Sequence, residues 1–149
     1  MRLYLAGPLF SEAERAWLDA LGARLRAEGF GVFVPHEEFA DVEVFTPRVV
    51  FERDAAGVRG ADALVAWIDG PVVDDGTACE IGLFAELAAS DPGRYRGIVA
   101  ILTDLRLQRT REVPGHGLNL FVAGAIESAG TICWSVEAAI ERLRELRDR

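Results

Sequence analysis

Apolar runs and amphipathic segments alternate along this sequence, and the alternation predicts strands that alternate with helices. Runs of strand length cover residues 3–6, 30–34, 62–68, 97–103 and 131–134. Apolar residues recur at helical spacing within residues 11–28, 46–60, 77–89, 118–129 and from residue 135 onward. Such an alternation indicates a parallel sheet with right-handed crossovers and helices on both of its faces.

Cap residues and aperiodic stretches mark where several predicted elements end. Ser11 followed by Glu14 predicts a capping box at the start of the first helix, and Gly29 ends that helix. Residues 36–46 show no period, so we expect a loop that covers a site. Residues 104–117 are polar and basic and are predicted to form a second long loop.

The predicted fold class is α/β, a flavodoxin-like three-layer sandwich whose five-stranded parallel sheet has the order 2-1-3-4-5. This order puts the switch point between strands 1 and 3, where ligands bind in folds of this kind. The loops at residues 7–10 and 69–76 should therefore line one crevice. The 149 residues contain no repeat or linker, so we expect a single domain over residues 1–149.

The composition of the chain argues against several classes of function. There are 24 acidic and 16 basic residues, a net charge of -8, which argues against binding to nucleic acid or to an anionic membrane. No apolar run approaches ~20 residues and the first strand begins at once, so we expect a cytoplasmic protein without a signal peptide. Cys79 and Cys133 are expected to be buried, reduced thiols. Neither the cysteines nor His36 and His116 have the spacing of a metal site.

The candidate chemistry centres on residues 74–82, DDGTACEIG, which follow the third predicted strand. Glu80 should lie in the first turn of the next helix, where the helix dipole favours an ionised carboxylate. Asp74 precedes it on the loop, and Asp54 lies on the preceding helix. Two carboxylates on either side of a scissile bond suit glycosyl transfer, with one attacking and the other handling the proton. The phenol of Tyr4, on the first strand, could orient the attacking carboxylate.

Each candidate also has a purely structural interpretation. Asp74 or Asp75 would cap the third helix, and Glu80 would only complement its dipole, worth ~0.3–1 kcal/mol. Asp54 would be a solvated helix residue and Tyr4 a core tyrosine. Phe10, beside a Gly-Pro turn, either belongs to the core or stacks on a flat ring. The charge run formed by three arginines is more typical of a solvated loop than of a phosphate site: Arg106, Arg109 and Arg111.

Four blocks in the chain resemble the nucleoside 2-deoxyribosyltransferase family. They are LYLAGPLFS at residues 3–11, Asp54 with GVRGAD at 57–62, DDGTACEIG at 74–82, and GLNLF at 117–121. The resemblance implies an enzyme that moves a 2-deoxyribosyl group between nucleobases, with retention at C1′. Its substrates would be 2-deoxynucleosides and free nucleobases. It implies no metal or organic cofactor, and it implies a homo-oligomer, either a dimer or a hexamer.

The same resemblance implies roles for individual residues in catalysis. Glu80 corresponds to the nucleophile that forms the covalent sugar intermediate, and Tyr4 to the tyrosine that positions it. Asp54 corresponds to the aspartate that contacts the base and assists its protonation.

Substrate-binding roles follow from the resemblance in the same way. Asp74 would bind the 5′-hydroxyl, and Asn119 would reach the same group in a neighbouring subunit. Phe10, and Gly7 before it, would line the base pocket. Leu9 stands where some members have a tryptophan, and the loop at 104–117 looks longer than in some members.

Two other functions stay open at this point. One is a 2-deoxynucleoside 5-monophosphate N-glycosidase on the same fold, which would need cations for the phosphate. The other is a non-catalytic nucleotide-sensing module.

Overall fold

The computed structural model of the chain describes residues 1–40, 42–108 and 117–149. A five-stranded sheet, parallel throughout, forms its centre, and the strands lie in the order β2-β1-β3-β4-β5. The strands are β1 (Arg2–Ala6), β2 (Gly31–Phe33), β3 (Ala63–Trp67), β4 (Gly97–Ile101) and β5 (Gly130–Cys133). The predicted fold class and strand order are therefore confirmed.

Helices connect the strands and cover both faces of the sheet. They are α1 (Glu12–Ala27), α2 (Pro47–Gly60), α3 (Asp75–Ser90), the short α4 (Leu105–Gln108), α5 (Leu120–Ala129) and α6 (Val136–Arg147). The capping box at the start of α1 is present, because Ser11 Oγ accepts from the backbone N–H of Glu14 at 3.2 Å and the Glu14 carboxylate accepts from the N–H of Ser11 at 2.7 Å. Gly29 ends this helix with a φ of 84°, a backbone conformation that favours glycine.

Two apolar layers hold the sheet, one on each face. The first packs the sheet against α1 and α6 and includes Leu3, Leu5, Val65, Leu18, Leu21 and Leu143. The second packs it against α2, α3 and α5 and includes Tyr4, Ala6, Leu64, Val58, Ile81, Phe84 and Ile126. Because successive strand residues point to opposite faces, Tyr4 lies on the α3 side of the sheet. This alternation brings the Tyr4 side chain beneath Glu80.

The structure corrects some of the local expectations. The segment predicted as a loop at 36–46 begins with a short 3-10 helix, Pro35–Glu37, and the polar segment at 104–117 contains α4. Residues 109–116, with Arg109, Arg111 and His116, lie outside the described residues. Cys133 is buried, but the expectation for Cys79 was wrong, since it is exposed.

The exposure of Cys79 follows from its position on α3. The residues that α3 buries are Thr77, Ile81 and Phe84. Cys79 falls between these positions on the helix and so faces away from the sheet. Within the described parts of the chain, no helix is both long and apolar enough to cross a membrane.

Candidate active site

A cavity of about 430 Å³ opens at the carboxyl ends of β1 and β3, where the sequence predicts a crevice. Residues from four segments line it, most of them apolar or acidic: Gly7, Leu9, Phe10, Pro35, His36, Phe39, Phe45, Val50, Asp54, Asp74, Gly76, Thr77 and Glu80. No lysine or arginine is among these described lining residues. A larger groove of about 620 Å³ beside β2 contains none of the predicted site residues.

Tyr4 and Glu80 are joined by a hydrogen bond in which the phenol donates to Oε1 of the carboxylate. Tyr4 is fully buried, and this burial, with the nearby Glu80 charge, raises its pKa far above the ordinary value. The phenol therefore stays protonated and remains a donor. Its ring stacks on Phe33 with centroids 5.1 Å apart, so both the ring and its hydroxyl are held in place.

The charge of Glu80 is unfavourable in the free protein. Burial raises its pKa to about 8, and the neighbouring carboxylates of Asp54 and Asp74 add to the effect, while the Tyr4 hydrogen bond opposes it. The sequence predicted a first-turn position where the helix dipole favours ionisation. Because α3 begins at Asp75, Glu80 instead lies in its second turn.

Asp54 faces the same cavity from α2. Burial raises the pKa of its carboxyl to about 6, and the cation of Arg53 lowers it by less. Its Oδ1 is buried and has no hydrogen-bond partner among the described residues. A carboxyl group with such a pKa can hold or release a proton near neutral pH.

Asp74 caps α3 and also lines the cavity. Its Oδ2 accepts from the backbone N–H and from the hydroxyl of Thr77, both at 2.9 Å. The adjacent Asp75 does not line this cavity and instead lines a separate one of about 270 Å³. The structure thus brings Asp74, rather than Asp75, together with Glu80.

Gly7 and Phe10 form one wall of the cavity. Arg15, on α1, holds this segment by donating to the carbonyls of Leu9 at 2.9 Å and Phe10 at 3.0 Å. Phe10 is 77% exposed, so the interpretation as a core residue is wrong. Its ring is available to a flat ligand.

Asn119 does not reach the cavity of its own chain. Its Oδ1 caps α5 by accepting from the backbone N–H groups of Phe121 at 2.9 Å and Val122 at 3.4 Å. The side chain lines the separate cavity with Asp75. The role across a subunit interface that the family resemblance implies therefore stays a prediction.

Several lining residues were not predicted individually, among them His36, Phe39 and Phe45. The rings of Phe39 and Phe45 lie 5.5 Å apart, and His36 Nε2 lies 2.7 Å from Asp19 Oδ1 on α1. A signal was available in the sequence, since two phenylalanines stand in the aperiodic, acidic stretch at 36–46.

The carboxylates of the cavity do not form a metal site. Within residues 1–40, 42–108 and 117–149, no group of three or more His, Cys, Asp and Glu residues could hold a metal ion. The arrangement instead offers one carboxylate fixed by a phenol, one carboxyl able to carry a proton, and an aromatic wall.

Known proteins share both the sequence pattern and the fold. The family described as nucleoside 2-deoxyribosyltransferase matches residues 3–121. A conserved protein from Enterococcus faecalis has a similar structure (TM-score 0.79, 28% identity, 97% of this chain and 98% of that protein). A 2-deoxyribosyltransferase from Bacillus psychrosaccharolyticus also has a similar structure (TM-score 0.68, 24% identity, covering 92% of this chain and 88% of that protein). A CMP N-glycosidase from Clostridium botulinum shares the fold (TM-score 0.56, 18% identity, covering 97% of this chain and 99% of that protein). No curated protein matches the sequence significantly.

Proposed function

Since the chain belongs to the nucleoside 2-deoxyribosyltransferase family, we propose that it moves a 2-deoxyribosyl group between nucleobases through a covalent ester on Glu80. The observation that carries this proposal is the hydrogen bond from the buried Tyr4 phenol to Glu80 at the wall of the cavity. The phenol occupies one carboxylate oxygen and leaves the other to attack C1′ of the sugar.

In the first step, a carboxylate oxygen of Glu80 forms a bond to C1′ while the glycosidic C–N bond breaks. The electron pair of that bond moves to the base nitrogen, which takes a proton from Asp54. In the second step, a nitrogen of the incoming base attacks C1′, the ester bond breaks, and the Glu80 carboxylate is restored. The proton of the incoming base returns to Asp54. Two inversions at C1′ give net retention.

The pair of carboxyl groups can supply the one proton that these roles require. The pKa values of about 8 for Glu80 and about 6 for Asp54 mean that the pair holds about one proton near neutral pH. In the free protein that proton is mainly on Glu80, whereas the first step needs it on Asp54. We propose that a bound base, by accepting a hydrogen bond from Asp54, favours the productive arrangement.

The remaining lining residues would bind the substrate. Asp74 would accept a hydrogen bond from the 5′-hydroxyl, and Phe10 would stack on the base, beside the wall at Gly7. Pro35, Phe39 and Phe45 would limit the access of water, which competes with the second base for the intermediate. A second copy of the chain would supply Asn119.

The direct test is to incubate the protein with thymidine and adenine and to measure deoxyadenosine by chromatography. We expect deoxyadenosine and thymine in equal amounts, and no exchange by the Glu80→Gln variant. Glu86→Gln, a substitution of an exposed glutamate on the same helix, is the matched control and should keep the activity. Failure of the wild-type protein to exchange any pair of bases would refute the proposal.

A hydrolase that removes the base from a 2-deoxynucleoside 5′-monophosphate is the second candidate, favoured by the likeness in fold to the CMP N-glycosidase. A phosphate would need cationic partners, and the described lining residues include Asp74 but no arginine or lysine. We therefore expect faster cleavage of a deoxynucleoside than of its 5′-monophosphate. The opposite preference, with release of free sugar phosphate, would favour the hydrolase.

The Glu80→Gln variant also distinguishes a non-catalytic sensing module from the transferase and the hydrolase. A sensor would bind nucleosides before and after this substitution and would have no turnover to lose.

A further inference from the structure

Arg53 precedes Asp54 on α2 but lines a different cavity. Val50 and Asp54, one helical turn apart, line the candidate active site. Arg53 instead lines the groove of about 620 Å³ beside β2, together with Glu38, and is not among the described residues that line the active site. We therefore expect no contact between Arg53 and a substrate, so its influence on the reaction must pass through other residues.

Two contacts of Arg53 lead to the aromatic wall of the active site. Its guanidinium donates a hydrogen bond to the backbone carbonyl of Glu38 and lies over the ring of Phe39, 5.5 Å from the ring centroid. Phe39 lines the active site, and its ring lies 5.5 Å from that of Phe45, which lines it as well. Beyond the short 3-10 helix, the described residues of this segment form no helix or strand before α2. Arg53 thus joins the wall to a regular helix.

An arginine is well suited to hold such a wall. A hydrogen bond from a charged donor is stronger than one between neutral groups. A cation over an aromatic ring adds an attraction that grows as water is removed, and Arg53 is partly buried. Because the guanidinium donates in its plane and stacks through its face, one side chain can make both contacts. Removing the cation removes both at once.

The position of the wall bears on how the proposed intermediate reacts. Either a base nitrogen or a water oxygen forms the new bond to C1′, the bond from C1′ to the Glu80 oxygen breaks, and the proton of the attacking group passes to Asp54. Attack by the base gives a new nucleoside, and attack by water gives free deoxyribose. An aromatic wall favours the base, because it offers a surface for a flat ring and excludes water.

We propose that Arg53 is a positioning residue that holds Phe39 at the active site and thereby sets the ratio of transfer to hydrolysis. The inference rests on the proposed function, because it concerns the fate of the sugar attached to Glu80. It assigns a role to a side chain outside the cavity.

The test measures the new nucleoside and the free deoxyribose formed from one deoxynucleoside and one acceptor base at fixed concentrations. Arg53→Met keeps a long side chain that suits a helix. It should lower the ratio of transfer to hydrolysis about tenfold, the effect of losing one hydrogen bond from a charged donor. Arg53→Lys keeps a cation and a donor and should stay within about threefold of the wild-type ratio. Arg48→Met removes an exposed arginine from the same helix and should leave the ratio unchanged.

A double variant separates the wall from the charge beside Asp54. The Arg53 cation also lowers the pKa of Asp54, an effect that does not need the ring of Phe39. Phe39→Ala alone should lower the ratio as Arg53→Met does. Adding Arg53→Met to Phe39→Ala should then change the ratio by less than about twofold, because the ring to be held is gone.

Three results would overturn the inference. One is an unchanged ratio in Arg53→Met, with folding checked by the melting temperature. Another is an equal loss of transfer and hydrolysis at constant ratio, which would give Arg53 a purely structural role. The third is an effect of Arg53→Met that is as large in the Phe39→Ala protein as in the wild-type protein.

Failure of the proposed function would have a different signature, namely no new nucleoside with any acceptor base. In that case, hydrogen exchange followed by mass spectrometry decides whether Arg53 holds the wall. The peptide that contains Glu38 and Phe39 should exchange faster in Arg53→Met than in the wild-type protein or Arg48→Met, while the peptide that contains Glu80 is unchanged. Equal exchange in all three proteins would refute the positioning role.

Discussion

The buried carboxylate of Glu80 should lower the stability of the fold whenever it is ionised. Glu80→Gln replaces it with a neutral side chain of nearly the same shape, whose amide oxygen still accepts from the Tyr4 phenol. The variant should therefore be inactive and, above pH 5, more stable than the wild-type protein. The gain should depend on pH, because the protonated wild-type side chain is neutral as well.

The magnitude follows from the pKa of Glu80. Burial raises this pKa from 4.5 to about 8. A folded-state pKa above the unfolded value means that the wild-type protein loses stability as pH rises from about 4.5 to about 8. The pKa difference of about 3.5, at about 1.4 kcal/mol for each pKa unit, gives an upper limit of about 5 kcal/mol. Glu80 adjoins an open cavity whose water screens the charge, so we expect about 2–4 kcal/mol.

The assay is urea denaturation of both proteins at pH values between 4.5 and 8.5. The difference in free energy of unfolding should be near zero at pH 4.5, should grow through pH 7, and should level off above pH 8. Glu86→Gln serves as the control, and its difference from the wild-type protein should stay flat. A Glu80→Gln variant that is equally stable or less stable at pH 8, or a difference that does not change with pH, would refute the reasoning.

Three further outcomes are expected. Tyr4→Phe should lower kcat and raise the Glu80 pKa further, which a shift of the alkaline limb of the kcat/KM profile to higher pH would reveal. In the wild-type protein, kcat/KM should peak between about pH 6, the pKa of Asp54, and about pH 8, the pKa of Glu80. A flat profile would exclude these two groups from the proton transfer and the nucleophilic attack. Gly130→Ala should unfold the protein or lower its stability by ~3 kcal/mol or more, measured by thermal melting, because the new Cβ would lie 1.8 Å from the Ile98 carbonyl oxygen.

The fold could be predicted because its main signals are local. The apolar runs and the residues that cap the helices set the order of elements, and strand–helix alternation leaves few possible topologies. The exact ends depend on caps whose geometry is not visible in the sequence. The third helix begins at Asp75 rather than Thr77 because Asp74 caps it, and the fifth begins at Leu120 because Asn119 caps it.

The site could be predicted only where the topology itself brings residues together. Tyr4 lies on β1 and Glu80 on the helix after the neighbouring strand β3, so the parallel sheet brings the two together although 76 positions separate them. The pKa of Glu80 depends on burial against two other elements, which no local pattern shows. His36 was not predicted as a lining residue, because its contact with Asp19 on α1 depends on how the segment after β2 folds back.

The most direct test of the account is to look for the sugar on Glu80. The protein is incubated with a 2-deoxynucleoside in the absence of an acceptor base, quenched in acid, digested, and analysed by mass spectrometry. The account predicts one deoxyribosyl group on the peptide that contains Glu80, which disappears when a second base is added before the quench. Exchange that proceeds with the sugar attached to a different residue, or with an unmodified Glu80 peptide under every trapping condition, would contradict it.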